Sequence, residues 1–387
     1  MFEKREGKNM ANMLDYLKWR GDLSLEQDDL NEIDNLILTR FSYLPFSKLM
    51  KEGEKLKIRT VYERYEISNI KRDSFLLKDD IPFFRAVANS NRFGNLVILK
   101  YENKISLKLE EQFAVVTILL PKDTAFVSFC GTDDTIVGWK ENFNMSFKSH
   151  LPAQKDAVRY LNSIGEHYVG NIIVGGHSKG GNLAVYAAAF CKPEVQKRIV
   201  TVYSDDGPGF GDDIIESKEY KQIVDRVVSY VPQSSVIGRL LLHEEKYYVV
   251  KSTQVGILQH DPFSWQLEGK EFIKVQELTN GSNVTEKTIK EWLENVEPER
   301  REIFIDTLYD ILVATNAKRV GDLGTNWIRT ASTLLKKYKG IDEESKKLIN
   351  QTLEALKKSA RNQILESFSQ SKKKEKGKKK KIGILSK

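Results

Sequence analysis

Cysteine is nearly absent. Cys130 and Cys191 are the only two in 387 residues. Two thiols cannot make a disulfide framework and are expected as buried residues in a reducing compartment. No apolar run approaches the roughly 18 residues of a membrane span. The opening residues, Met1 to Asn9, lack the apolar core of a signal peptide, so a cytoplasmic location is expected. There is no Cys/His cluster with metal-ligand spacing, no G-x-G-x-x-G and no P-loop, so neither metal nor nucleotide cofactor is expected. Basic residues on the folded body are also in short supply. Nine lysines and one glutamate give residues 371–387 a charge of +8, against +7 for the whole chain, which leaves residues 1–370 at −1. The basicity belongs to a tail, and a nucleic-acid groove needs Lys and Arg clustered on the fold itself. No nucleic-acid partner is expected.

What is present is an apolar content of 40% and a charged content of 30%, as in a soluble globular protein. The length suits one large α/β core with an appendage. Asp29-x-x-Glu32 has the form of a capping box, followed by Ile33, Ile37, Phe41 and Leu44 at helical spacing. Residues 47–90 are mixed. Apolar strands are predicted at 96–99, 114–120 and 125–129, the last two joined by a turn at Pro121-Lys122-Asp123. Runs this apolar suit strands buried on both faces. A helix over 152–168 precedes a short strand, Ile172-Ile173-Val174, and a good helix former from Leu183 to Phe190 follows it. Further strands are predicted at 199–203, 227–231 and 247–250, with a helix from Ile214 to Val224. Strands alternating with helices imply a mostly parallel sheet flanked by helices. Residues 1–280 are therefore read as one α/β domain, its core over about 94–280. Helical spacing at Phe304, Leu308, Ile311 and Leu312, then at Trp327, Ala331, Leu334 and Tyr338, then at Ile349, Leu353 and Leu356, makes 281–370 a helical appendage or cap. Residues 371–387 are a disordered lysine-rich tail, either a solubility tail or, through Lys372–Lys381, a peripheral contact with anionic lipid at the inner membrane face.

The chemistry gathers at Gly176-His177-Ser178-Lys179-Gly180-Gly181-Asn182. Gly176-x-Ser178-x-Gly180, between a strand and a helix, is the nucleophile elbow that presents a serine hydroxyl at the sheet's C-terminal edge. A hydroxyl nucleophile needs a base, an orienting acid and oxyanion donors. In this fold the base follows the serine, and only His243 and His260 do so. His260, in a loop just beyond the last clear strand, is the favoured candidate. His177, next to the serine, is read as a structural hydrogen bonder. The Lys179 N–H is one oxyanion donor. Thr132, in the glycine turn after strand 125–129, is the candidate for the second. Such donors contribute about 2.7–4 kcal/mol each to the transition state.

Val127-Ser128-Phe129-Cys130-Gly131-Thr132, Trp139-x-x-Asn142-Phe143 and Gly176-His177-Ser178-x-Gly180-Gly181 resemble the class 3 lipase branch of the α/β-hydrolases. More closely, the chain is similar to a bacterial lipase-related family labelled Mbeg-like, over about residues 12–270. Stretches carrying that likeness include Asp15–Asp22, Asp206–Phe210, Tyr230–Ser235 and Gln259–Phe263. The resemblance implies an α/β-hydrolase fold, serine-ester chemistry and an oxyanion role for Thr132. In class 3 lipases a lid occupies the place of residues 133–150, where Ile136, Val137, Trp139, Phe143, Met145 and Phe147 could cover an acyl chain or simply pack on the core.

Two departures stand out. Cys130 occupies the place of an arginine. The segment Tyr230–Ile237, where the branch carries its acid, has no carboxylate. Asp206, after strand 199–203, is the natural substitute, with Asp205, Asp261 or an acid-free dyad as alternatives. The expected function is a serine hydrolase cleaving a carboxylic ester through an acyl-enzyme on Ser178, with a small-molecule or lipid ester as substrate. The alternatives are a hydrolase-fold binding or scaffold protein, or an acyltransferase using the same residues.

Overall fold

The computed structural model describes residues 11–68, 70, 78–106, 111–132, 145, 150–235, 237–239, 241–254 and 256–276, with isolated positions at 343, 346, 347 and 350. Those four positions are helical. The rest of the expected appendage, the lysine tail, and the expected lid residues other than Met145 and His150 lie outside the described residues.

The chain begins with helices α1 (Met13–Arg20) and α2 (Glu32–Phe41), then strand β1 (Leu56–Lys57), α3 (Ile58–Ile67) and α4 (Asp80–Asn89). Strands β2 (Val97–Ser106), β3 (Glu111–Leu120) and β4 (Thr124–Phe129) follow. Helix α5 (Pro152–His167), β5 (Asn171–His177), α6 (Lys179–Phe190), a short α7 (Pro193–Gln196) and β6 (Ile199–Asp205) come next. Two short helices, α8 (Asp212–Ile215) and α9 (Lys218–Lys221), lead to β7 (Val227–Pro232) and β8 (Lys246–Val250). The last strands are β9 (Leu267–Glu268), β10 (Glu271–Phe272) and β11 (Lys274–Val275). The main sheet has the order β1-β2-β3-β4-β5-β6-β7-β8-β11, and β9 pairs separately with β10. Strands β4 to β8 run parallel, whereas β1, β2 and β3 on one side and β11 on the other pair antiparallel. This is an α/β-hydrolase fold: a parallel centre with helices on both faces.

Side-chain alternation explains the two layers. Val115, Val127, Phe129, Ile172 and Val174 turn to the face covered by α5 and α6. Val116, Ile118 and Phe126 turn to the opposite face, where α1 to α4 pack. Successive strand residues point to opposite faces, so a continuous apolar run fits a strand covered on both sides. Fully burying each such side chain contributes about 1.5–3 kcal/mol.

Three expectations are corrected. The capping box of α2 is Asn31 with Asp34, not Asp29 with Glu32: Asn31 Oδ1 accepts from the Ile33 and Asp34 N–H groups, and the Asp34 carboxylate accepts from the Asn31 N–H. The helix expected over 214–224 is broken into α8 and α9, because Ser217 caps a new helix by accepting from the Tyr220 N–H. Strands β2 and β3 are antiparallel, and β2 runs well past residue 99. The β3–β4 pair is a hairpin, since Lys122 and Asp123 both take positive φ (58° and 48°) in a turn too short for a crossover. Residues 47–90, left unassigned by pattern, hold β1, α3 and α4.

Both cysteines are buried thiols outside any disulfide, and burial pushes the Cys191 thiol up to about 12. Cys130 packs with Tyr43 and Ala114. Arg40 of α2 lies nearby, paired with Asp80 and with its guanidinium 4.2 Å from the Tyr43 ring centre. No helix among the described residues is long and apolar enough to cross a membrane.

Candidate active site

Ser178 stands between β5 and α6 at φ 61° and ψ −132°, a backbone conformation that L-residues avoid. Two hydrogen bonds fix it. Its N–H donates to the Asp205 carbonyl (2.9 Å), and its carbonyl accepts from the Gly181 N–H (2.9 Å). The close approach of strand and helix requires glycine. A Cβ on Gly176 would lie 2.1 Å from the carbonyl carbon of Gly180, and one on Gly180 would lie 2.2 Å from the Phe129 carbonyl oxygen. Lys179 is the first residue of α6, so its N–H lies at the positive end of the helix dipole. Its side chain runs inward, and Nζ donates to the carbonyl oxygen (2.5 Å) and Oε1 (2.6 Å) of Gln112.

His260 ends a 3₁₀ turn, Gly256–His260, after β8. Its Nδ1 lies 2.6 Å from Asp206 Oδ2, with the carboxylate buried and the imidazole about a quarter exposed. A carboxylate there is an acceptor, so Nδ1 carries the proton and Nε2 is left as the accepting nitrogen. Asp206 follows β6 at φ 52°, and its N–H donates to the Tyr230 carbonyl (2.8 Å). Its second oxygen, Oδ1, accepts from Ser235 Oγ (2.5 Å) and from the Gly238 N–H (3.1 Å). The segment after β7, which has no carboxylate of its own, thus supplies donors to the carboxylate from β6.

The alternative acids and base lie elsewhere. Asp205 turns to the other face of the sheet. Its oxygens accept from Asn35 Nδ2 (2.9 and 3.0 Å) and Thr39 Oγ1 (2.8 Å) of α2. Burial pushes Asp205 up to about 7, against the opposing pull of those donors. Asp261 caps the turn Pro262–Ser264 by accepting from the Phe263 N–H (3.0 Å). His243 Nδ1 pairs with Glu245 (2.7 Å), which also accepts from Ser229 Oγ and Tyr220 OH. Burial pushes Glu245 up, but the His243 contact outweighs it with help from its other donors and holds the carboxyl at about 2.

Thr132 follows β4 and the Gly131 turn. Its Oγ1 is buried and, among the described residues, has no hydrogen-bond partner. A buried hydroxyl without a partner costs about 1–3 kcal/mol.

His177 packs against His260, with ring centres 4.6 Å apart, and its Nε2 lies 2.9 Å from the His260 carbonyl oxygen. A carbonyl only accepts, so Nε2 carries the proton. Nδ1 then accepts from Tyr43 OH at 3.2 Å, a hydroxyl equally close to the His177 carbonyl oxygen. Burial, then His260 and Arg40, hold His177 well below the ordinary imidazole value, so it stays neutral.

Residues 87–310, more than half of the chain, match the Mbeg1-like family. The chain belongs to that family. No curated protein matches it. Among solved structures, this Mbeg1-like chain is similar to the Rhizomucor miehei lipase in its propeptide complex, at 16% identity and a TM-score of 0.31, over 41% of this chain and 57% of that one. It is also similar to lipase II from Rhizopus niveus, at 14% identity and a TM-score of 0.32, over 50% and 75% of the two chains. Lip2 lipase from Yarrowia lipolytica matches at 14% identity and a TM-score of 0.30, over 46% and 73%. The match spans little more than half the length of the Rhizomucor miehei chain. At these TM-scores the fold assignment rests on the sheet order and the elbow, not on superposition.

The structure brings Asp206, His260 and the elbow to one edge of the sheet, and it sends Asp205, Asp261 and His243 to other partners. Ser235, Gly238 and Tyr43 were not singled out from sequence. Nothing in a turn serine, a glycine or a helix-end tyrosine distinguishes them until the strands are placed side by side. Among the described residues no cluster of His, Cys, Asp and Glu could hold a metal ion.

Proposed function

We propose that this protein is a serine hydrolase that cleaves a carboxylic ester through an acyl-enzyme on Ser178. The observation that carries the reading is the 2.6 Å contact of His260 Nδ1 with Asp206, beside a serine held at positive φ. With Nδ1 protonated and facing the carboxylate, Nε2 is the nitrogen that accepts the Ser178 hydroxyl proton as Oγ attacks the ester carbonyl. The buried Asp206 carboxylate favours the imidazolium that forms. The carbonyl oxygen, now an oxyanion, accepts from the Lys179 N–H and from Thr132, whose buried hydroxyl has no partner among the described residues. His260 returns the proton to the leaving alkoxide, and the alcohol departs. Water, activated by the same imidazole, attacks the acyl-enzyme and releases the acid and Ser178. An alcohol in place of water would make the same steps an acyl transfer.

Fluorophosphonate labelling tests this directly. The wild-type chain should label with one adduct on Ser178, and Ser178→Ala should not label. An intact wild type that stays unlabelled, or equal labelling of both, would sink the reading. The Asp206–His260 contact favours this reading over the alternative of a hydrolase-fold binding protein, which the absence of an acid after β7 suggests.

A further inference from the structure

Two side chains of the elbow reach away from Ser178, each toward a different one of its proposed partners. His177, one residue before, donates Nε2–H to the His260 carbonyl oxygen (2.9 Å) and lies against the His260 ring. The Tyr43 hydroxyl lies 3.2 Å from His177 Nδ1 on the other side. Asn182, four residues after, leaves the first turns of α6 in another direction. Its Nδ2 donates to the carbonyl oxygens of Pro208 (3.1 Å) and Gly209 (2.9 Å), in the loop that begins with Asp206. Its Oδ1 accepts from Gln154 Nε2 (2.9 Å) of α5, whose own Oε1 accepts from the Leu151 N–H (2.9 Å). The Asn182 amide is buried, and both its nitrogen and its oxygen are engaged within the fold. Asp206 stands at φ 52°, a conformation that persists only where the surroundings over-determine it.

We propose that His177 and Asn182 are positioning residues. The first sets the place of the His260 backbone, and the second holds the Asp206 loop, so the stretch that carries the serine also fixes the seats of the acid and the base. A rigid helix start makes this effective. Ser178, Lys179 and Asn182 belong to one elbow-and-helix unit, so any shift of the serine carries the Asp206 loop with it. The inference deepens the hydrolase reading and rests on it for its kinetic consequence. The geometric consequence, the integrity of the Asp206–His260 hydrogen bond, can be read without turnover.

The test uses the full chain, p-nitrophenyl butyrate hydrolysis and the low-field proton NMR signal of the His260 Nδ1–H facing Asp206. Asn182→Ala and His177→Phe should each lower kcat at least about tenfold with KM within about twofold, and each should broaden or abolish the low-field signal. His177→Gln keeps an N–H for the His260 carbonyl and should recover most of the loss. Repeating Asn182→Ala in an Asp206→Ala background should cost less than about twofold further, because its route of action is gone. Equal losses in both backgrounds, or an unchanged low-field signal in both single variants, would overturn the proposal. Asn182→Asp, equal in size but lacking the two donors, serves where the alanine variant does not fold. A wild type without Ser178-dependent labelling overturns the hydrolase reading alone, and the resting-state signal still decides positioning.

Discussion

Ser235 Oγ lies 2.5 Å from Asp206 Oδ1, so a hydroxyl from the segment after β7 holds a carboxylate from the end of β6. The opposite oxygen of that carboxylate faces His260. Hydrogen bonds to charged groups contribute about 1.5–3 kcal/mol. Ser235→Ala is therefore expected to lower kcat about tenfold on p-nitrophenyl esters, with KM little changed. Steady-state kinetics of the purified variant checks this.

Asp206→Asn replaces the acceptor facing His260 Nδ1 with an amide and leaves the size unchanged. The imidazole then loses the group that selects its tautomer. A fall in kcat of roughly 10³–10⁴ is expected, with the fold intact. Stopped-flow fluorophosphonate labelling gives the rate, and circular dichroism gives the fold. Wild-type labelling by this variant would remove Asp206 from the machinery.

Thr132→Val should separate activity from stability. Among the described residues the hydroxyl has no partner. Its removal should leave the melting temperature unchanged or raise it, since an unpaired buried hydroxyl is unfavourable by about 1–3 kcal/mol. The same change should lower kcat about 10²–10³-fold through the lost oxyanion donor. Differential scanning fluorimetry and ester kinetics on one preparation measure both. A lower melting temperature would mean that the hydroxyl has a structural partner.

Asp205 gives a pH dependence with a defined sign. Burial raises its folded pKa from 3.8 to about 7. Between those values the folded state binds the proton more tightly than the unfolded chain. Its contribution to stability is thus fully present below about pH 4 and is lost as pH rises toward 7 and beyond. The total is on the order of a few kcal/mol. In Asp205→Asn this contribution disappears. The difference in urea midpoint between wild type and variant should move in favour of the variant as pH goes from 4 to 8. The new amide can also turn a donor toward Asn35 Oδ1, a buried oxygen without a partner among the described residues.

Much of this arrangement was legible in the sequence because it is encoded locally. Gly176, Gly180 and the β-branched run before them specify a tight strand–turn–helix, and the near-continuous apolar runs of β3 to β5 specify strands covered on both faces. Asp206 and His260 could be named as candidates because they follow strands at one end of a parallel sheet. Which carboxylate met the histidine was legible only as a preference for Asp206 over Asp205, Asp261 or no acid at all. Asp205 and Asp206 differ by one residue, and the choice is made by strand alternation and by the positive φ at Asp206. The Ser235 and Gly238 donors depend on adjacent strand ends far apart in sequence. The cap of α2 was misplaced by two residues because Asp29-x-x-Glu32 and Asn31-x-x-Asp34 both have side chains suited to the motif, and the burial of Asp34 against Arg92 and Tyr16 decides between them. The hairpin of β3 and β4 was half legible: its turn was recognised, but the antiparallel pairing it forces was not drawn from it.

Ser178 and Asp206 share a property besides chemistry: both have positive φ at the ends of neighbouring parallel strands. β-branched residues are strongly disfavoured there, and proline, with φ fixed near −65°, is excluded. The substitutions these two positions tolerate are few as a result. At either position glycine preserves the backbone, whereas valine or isoleucine jeopardises the whole domain.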